Sequence, residues 1–127
     1  MIQEKYLLLI LLTHWIGDFV LQNEYMATQK STSNKALGLH VFVYSMTWVL
    51  ALFIAKVQSF GIHFYLMFVS FILITSICHF TQDYITSRIN KYFLSKKDTH
   101  NFFVCIGFDQ ILHYLQLYYT LKLLGLM

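Results

Sequence analysis

Four stretches of this chain, Tyr6 to Leu21, Leu37 to Ala55, Phe60 to Ile85 and Phe102 to Leu124, are long apolar runs almost free of charge. Runs of this length read as membrane spans, because about 20 apolar residues of helix cross a hydrocarbon core of about 30 Å. Composition points the same way. Of 127 residues, 57% are hydrophobic and 12% charged, against roughly 25% charged in a soluble domain. So short a chain cannot hide that much apolar surface, since small domains bury only about 60 to 70% of what the unfolded chain exposes. The remainder must face lipid, which makes the bilayer the expected partner. An aromatic content of 18% suits an interfacial belt and excludes a disordered or collagenous chain. A net charge of +3 is too small to argue for nucleic acid, and none is inferred.

The expected fold class is all-α, an integral membrane four-helix up-down bundle forming one transmembrane domain over residues 1–127, with spans at about 6–21, 37–55, 60–85 and 102–124. The first run is the shortest, reaching about 24 Å. Proline is absent, so straight helices are the default. Two polar connections, Gln22 to Ala36 and Thr86 to Asn101, and a tight turn at Gln58 to Gly61 join the spans. Ser33 or Asn34 is placed to cap the second helix, and Asp98 or Thr99 the fourth. In the second connection Ile89, Tyr92 and Phe93 alternate with Arg88, Lys91, Lys96 and Lys97, the pattern of an amphipathic segment on the membrane surface or of a solvated loop. Lys5 and the apolar run after it imitate a signal peptide, but His14, Trp15 and Asp18 follow with no small-residue cleavage site, so a retained helix is expected. Cys78 and Cys105 stand singly in apolar runs, which suggests neither a disulfide nor a thiolate metal site. The long connections carry Lys30, Lys35, Arg88, Lys91, Lys96 and Lys97 against Lys5, Lys56 and Lys122 on the other side, which places both connections in the cytoplasm and both termini outside.

Asp in hydrocarbon costs several kcal/mol unless it is paired or bound to metal, yet Asp18, Asp83 and Asp109 fall inside or at the edge of apolar runs. Each has a histidine four positions away: His14, His79 and His113. With six His in 127 residues, three such pairings among four Asp arise by accident on the order of a few times in a thousand. Residues i and i+4 share one helix face, so imidazole and carboxylate can address one ion. His40 adds a ligand from the second span. Counted from the long connections, all seven groups lie in the same half of the membrane. Gly17, Gly38 and Gly107, near Asp18, His40 and Asp109, would permit close helix approach there. Four His and three Asp are too many for one tetrahedral zinc and suit two ions sharing carboxylates. The nitrogen and oxygen donors favour Zn, Mn or Fe(II). His63 and His100, without an Asp partner, read as interfacial residues.

The run His14-Trp15-Ile16-Gly17-Asp18-Phe19-Val20-Leu21-Gln22, then Met26-Ala27 and Lys30, Leu37 to His40, His79 to Asp83 with Ser87-Arg88, and Asp109-Gln110 with His113, resembles a family of small bacterial and phage membrane proteins, domain of unknown function 3307. The resemblance covers nearly the whole chain and implies a multi-pass protein of the bacterial inner membrane. More distantly the chain is similar to membrane-bound metal-dependent hydrolases, whose HxxxD helices are in turn similar to those of zinc phospholipases C and single-strand nucleases. It has no N-terminal tryptophan ligand and no HxxxE, so the likeness does not extend to a trinuclear zinc site.

The expected function is metal-dependent hydrolysis of a phosphoester or related bond in a membrane-associated, phosphate-bearing substrate, through a two-metal site opening toward the cytoplasm. Its metal residues are His14, Asp18, His40, His79, Asp83, Asp109 and His113. Lys30, Lys35 and Arg88 are the candidates for holding phosphate. Gln22 and Gln110 are candidates for orienting the ligands, and Tyr44 or Tyr84 for supplying a proton to a leaving group. Two other classes remain open: a haem or di-iron oxidoreductase using the same histidines, and a non-catalytic phage or bacterial protein that conducts protons or perturbs the membrane. A homo-oligomer is compatible with each.

Overall fold

The computed structural model describes residues 4–55 and 61–126. Lys56, Phe60 and the turn expected from Gln58, apart from Gly61, lie outside them. Among the described residues the chain is all-α, with five α-helices and one π-helical turn. Helix α1, Glu4–Trp15, runs directly into the π turn Ile16–Val20, which closes where the Leu21 N–H donates to Ile16 O at 2.9 Å. A short helix α2, Glu24–Gln29, follows, then α3, Asn34–Ala55, α4, Ile62–Ser95, and α5, Thr99–Leu123.

Helix α1 packs on α3 and α5, α3 on α4, and α4 on α5. Asp18 meets His40 while His14 meets Tyr44, and Thr86 meets Asp109 while Thr75 meets Gln116. Rising numbers on one helix thus face falling numbers on the next, so these neighbours are antiparallel and the four long rods close around one interior. Among the described residues, two of the four expected spans lie in helices long and apolar enough to cross a membrane, Asn34–Ala55 and Ile62–Ser95.

The structure departs from the sequence expectation in four places, the fourth being the short helix α2 within the first polar connection. The connection from Thr86 is not a surface segment or loop: α4 continues to Ser95, and only Lys96 to Asp98 turn the chain. Neither glycine nor proline interrupts Thr86 to Ser95, and Thr86 and Ser87 are buried on the inner face, so packing against α5 extends the helix. The first rod is not a uniform α-helix, because the π turn inserts a residue at Gly17 and Asp18. Of the three glycines, only Gly17 marks a close approach. A Cβ there would meet Tyr44 Cδ2 at 2.9 Å, whereas at Gly38 and Gly107 it would meet nothing within 4 Å.

Caps follow the local sequence. Ser33 Oγ accepts from the Ala36 N–H, Asn23 Oδ1 from the Met26 N–H, and Asp98 Oδ1 from the Asn101 N–H, each quenching an orphan donor of a first turn. Buried Met26 anchors α2 from the side, and this makes a short helix of what read as loop. Cys78 and Cys105 are free and partly buried.

The interior has two storeys. One half is apolar, built on Ile10, Trp48, Leu52, Phe71, Leu117 and Leu121. In the other half His14, Asp18, His40, His79, Asp83, Asp109 and His113 are all buried. Outward-facing side chains are large and apolar on every long rod, among them Leu8, Phe42, Ile77 and Phe103.

Candidate metal centre

The polar storey is assembled from the end of the first rod, the start of α3, the middle of α4 and the first half of α5. His40 stands at its centre. Its Nε2 lies 3.0 Å from Asp18 Oδ1, 3.0 Å from His79 Nε2 and 3.3 Å from Asp83 Oδ2. His79 Nε2 lies 3.5 Å from Asp18 Oδ1 and 3.8 Å from Asp83 Oδ2. Bonds of about 2.0 to 2.1 Å to a tetrahedral ion set ligand atoms about 3.3 to 3.4 Å apart. The five separations bracket that spacing, and these four side chains fit one metal ion.

A second group shares a member with the first: Asp83, Asp109 and His113 also bring ligand atoms together. His113 Nδ1 lies 2.8 Å from the Asp109 backbone carbonyl. A carbonyl oxygen only accepts, so Nδ1 carries a proton, and the neutral ring presents a lone pair at Nε2. That Nε2 lies 3.4 Å from Asp83 Oδ1, and neither atom has a hydrogen-bond partner. A neutral imidazole nitrogen and a carboxylate oxygen that face each other when buried repel unless a cation, a metal ion or the ring's second proton, lies between them. Asp83 thus turns one oxygen toward each group, the disposition of a bridging carboxylate.

His14 is placed differently. Its Nε2 lies 2.8 Å from Gln110 Oε1 and its Nδ1 2.9 Å from the Tyr44 hydroxyl, so both ring nitrogens are engaged. It stands 3.6 Å from Asp18 Oδ2 but outside both ligand groups. Gln110 Nε2 donates to Asp18 Oδ2 and Asp109 Oδ2, both at 3.2 Å, linking His14 to a carboxylate of each group. Thr86 Oγ1 donates to Asp109 Oδ1 at 2.7 Å. Tyr44 lies stacked on His79 at 3.8 Å between ring centroids, while Tyr84 is exposed beneath the Arg88 guanidinium.

Of the three expected phosphate-binding residues, the structure brings one to the centre. Lys30, just past α2, donates to Asp83 Oδ2 at 2.8 Å. Burial weakens the hold of the Lys30 ammonium on its proton, but Asp83 and Asp18 outweigh that, and its pKa lies above the ordinary lysine value. Lys35 is exposed. Arg88 turns away, tied to Tyr84 O at 2.8 Å and Asn34 Oδ1 at 3.2 Å. Gln22 lines the cavity above the centre, with its Oε1 unpaired. His63 and His100 are exposed.

That cavity, about 530 Å³, reaches from Asp18, Asp83 and Asp109 upward between α2, α4 and α5. Ser87, Asn90 and Lys91 line it, and sequence reasoning missed them as site residues. The signal was available: they follow Asp83 by four, seven and eight positions, on the stripe that begins at His79. Reading Thr86 onward as a connection hid it.

A family model described as Protein of unknown function (DUF3307) matches residues 6–125. The chain belongs to that family. The match spans every residue of the centre in this DUF3307 chain, and the family's description assigns no activity. No curated protein and no solved structure matches the chain.

Proposed function

We propose that this DUF3307 protein is a multi-pass membrane protein whose interior holds two divalent metal ions, zinc foremost with manganese or iron(II) as alternatives, and hydrolyses a phosphoester of a membrane-associated substrate. The observation that carries this reading is the sharing of Asp83 between two ligand groups at the floor of a cavity lined by Lys30 and Lys91. Asp18, His40, His79 and Asp83 would hold one ion, and Asp83, Asp109 and His113 the other. Two such ions supply a hydroxide near neutral pH and a charge clamp for phosphoryl oxygens. The chain's own part is to fix the carboxylates through Gln110 and Thr86, to close the floor with apolar packing, and to present Lys30 and Lys91 to an anion. The 3.0 Å between His40 and His79 Nε2 leaves no room for a porphyrin between them, which favours ions over haem.

The membrane placement is supported by the outer surface. The most apolar window of α4 is only 17% buried, whereas the core helix of a soluble protein is mostly buried. The excess of basic residues on the two long connections supports opening of the cavity toward the cytoplasm.

Elemental analysis of protein purified in detergent tests the centre. About two divalent ions per chain are expected, with both lost in Asp83→Ala and one retained in His113→Ala. Metal content at background in the parent protein overturns the reading. Proton flux through metal-free protein in liposomes would then favour the non-catalytic class.

A further inference from the structure

The cavity lining is of two kinds. Lys30, Lys91, Ser87 and Asn90 are polar, and Phe19, Leu94, Phe102 and Ile106 are apolar. Of the buried polar atoms along it that lack partners, Ser87 Oγ can donate to a phosphoryl oxygen, while Asn90 Oδ1 and Gln22 Oε1 can accept from a hydroxyl of a ligand. Ser87 is 8% exposed, an interior hydroxyl that wants a polar ligand. The apolar lining is different in kind, because Phe19 and Leu94 are also open to the surroundings of the protein at 45% and 63% exposure. A pocket for a small water-soluble phosphate has no use for such a lining.

The level of the cavity along the rods matters as well. It lies where α4 leaves its apolar stretch after Ile85 and enters the segment bearing Arg88, Lys91 and Lys96. Exposed Trp15, Tyr25, Tyr84 and Tyr92 belong to the same ends of the rods, the arrangement of an aromatic belt at the headgroup layer. A phosphate held there by lysines sits at the depth where lipid phosphates already lie.

We propose that the substrate class of this site is an amphiphilic phosphoester, its phosphoryl group held by Lys30, Lys91 and the Asp83 centre and its hydrocarbon lying against Phe19, Phe102 and Ile106. This rests on the metal-dependent hydrolase reading above for its chemistry and for part of the hold on phosphate, and on the cavity lining alone for the amphiphile. In the reaction, the oxygen of water forms a bond to phosphorus and the P–O bond to the lipid alcohol breaks. The alcohol oxygen takes a proton from the water.

The test uses the full chain in detergent micelles, loaded with zinc, and two probes with the same phosphomonoester: dioctanoyl phosphatidate and glycerol 3-phosphate. Binding is read by calorimetry and turnover by release of inorganic phosphate. The lipid probe is expected to bind at least about tenfold more tightly than the soluble one. Phe102→Ala and Ile106→Ser should each reduce that ratio, and Lys91→Ala should weaken both probes while leaving the ratio in place. The soluble probe serves as the folding control for the two apolar variants, and bound zinc content serves for Lys91→Ala. Equal affinity for the two probes, or a ratio unmoved by both apolar variants, overturns the amphiphile proposal without touching the metal centre. Preferential lipid binding with no phosphate release supports the ligand class and overturns hydrolysis.

Discussion

Gly17 shows how one missing side chain positions the centre. A methyl group there would press on Tyr44, which is fully buried and stacked on His79. Tyr44 therefore has little room to yield. Gly17→Ala is expected to cost about 1 to 3 kcal/mol of stability and to lower metal content, whereas Gly38→Ala and Gly107→Ala, with open space at the Cβ, should be neutral or stabilising by a few tenths to about 1 kcal/mol. Thermal unfolding of the three variants in one detergent compares them. Lys97 is the converse case. It ends α4 at φ 57°, with its N–H donating to Leu94 O and the next N–H to Phe93 O, an end that favours glycine. Gly125 makes the same end on α5 at φ 63°. Lys97→Gly should raise stability by about 1 kcal/mol, seen as a higher unfolding midpoint.

Helix α4 is the element on which the site depends. It carries His79 and Asp83 in its middle and Ser87, Asn90 and Lys91 beyond, so one rod supplies both the floor and one wall of the cavity. The expected end at Ile85 rested on the loss of apolar character, but helices persist wherever the inner face still packs. The tight return to α5 is held by Asp98, whose carboxyl the side chain and backbone of Asn101 hold below the usual aspartate value. A carboxylate with a lowered pKa stabilises the fold above the unfolded value of about 3.9, and that support is lost as pH falls through the lower folded value. The protection of amides in the first turn of α5, their exchange rate relative to the intrinsic rate at the same pH, should therefore fall in acid below about pH 4. Asp98→Asn, a good cap without the charge, should remove that dependence; an unchanged acid response in this variant would refute the assignment.

At the scale of the molecule, polar groups lie inside one half and apolar groups cover the outside. Ile77 is 66% exposed near the middle of the longest apolar run. Ile77→Lys is expected to impair insertion at a cost of about 2.5 to 3.5 kcal/mol, measured as the fraction of chain resisting alkaline extraction from membranes. A soluble protein would tolerate that lysine on its surface, so unchanged fractionation counts against the membrane reading. The same arrangement explains what the sequence could reveal of the site. Each His/Asp pair at i and i+4 was legible because burial of charge in an apolar run is costly anywhere. Which groups would face one another was not, since that depends on the rotation of four separate rods.

The sequence by itself determined the helical class, the apolar runs and the level along the rods at which seven ionisable groups lie, because periodicity and desolvation act locally along a chain. Only the tertiary structure decided that Asp83 turns an oxygen to each of two groups, that His14 bonds to Gln110 and Tyr44 instead of joining them, and that Lys30 reaches the centre while Lys35 and Arg88 do not. The π turn after Trp15, the contact of Gly17 with Tyr44, the short helix α2 that ends just before Lys30 and the extension of α4 past Ile85 place these groups. Each is a matter of how one rod is rotated or shifted against another, which residue spacing within a single rod does not encode.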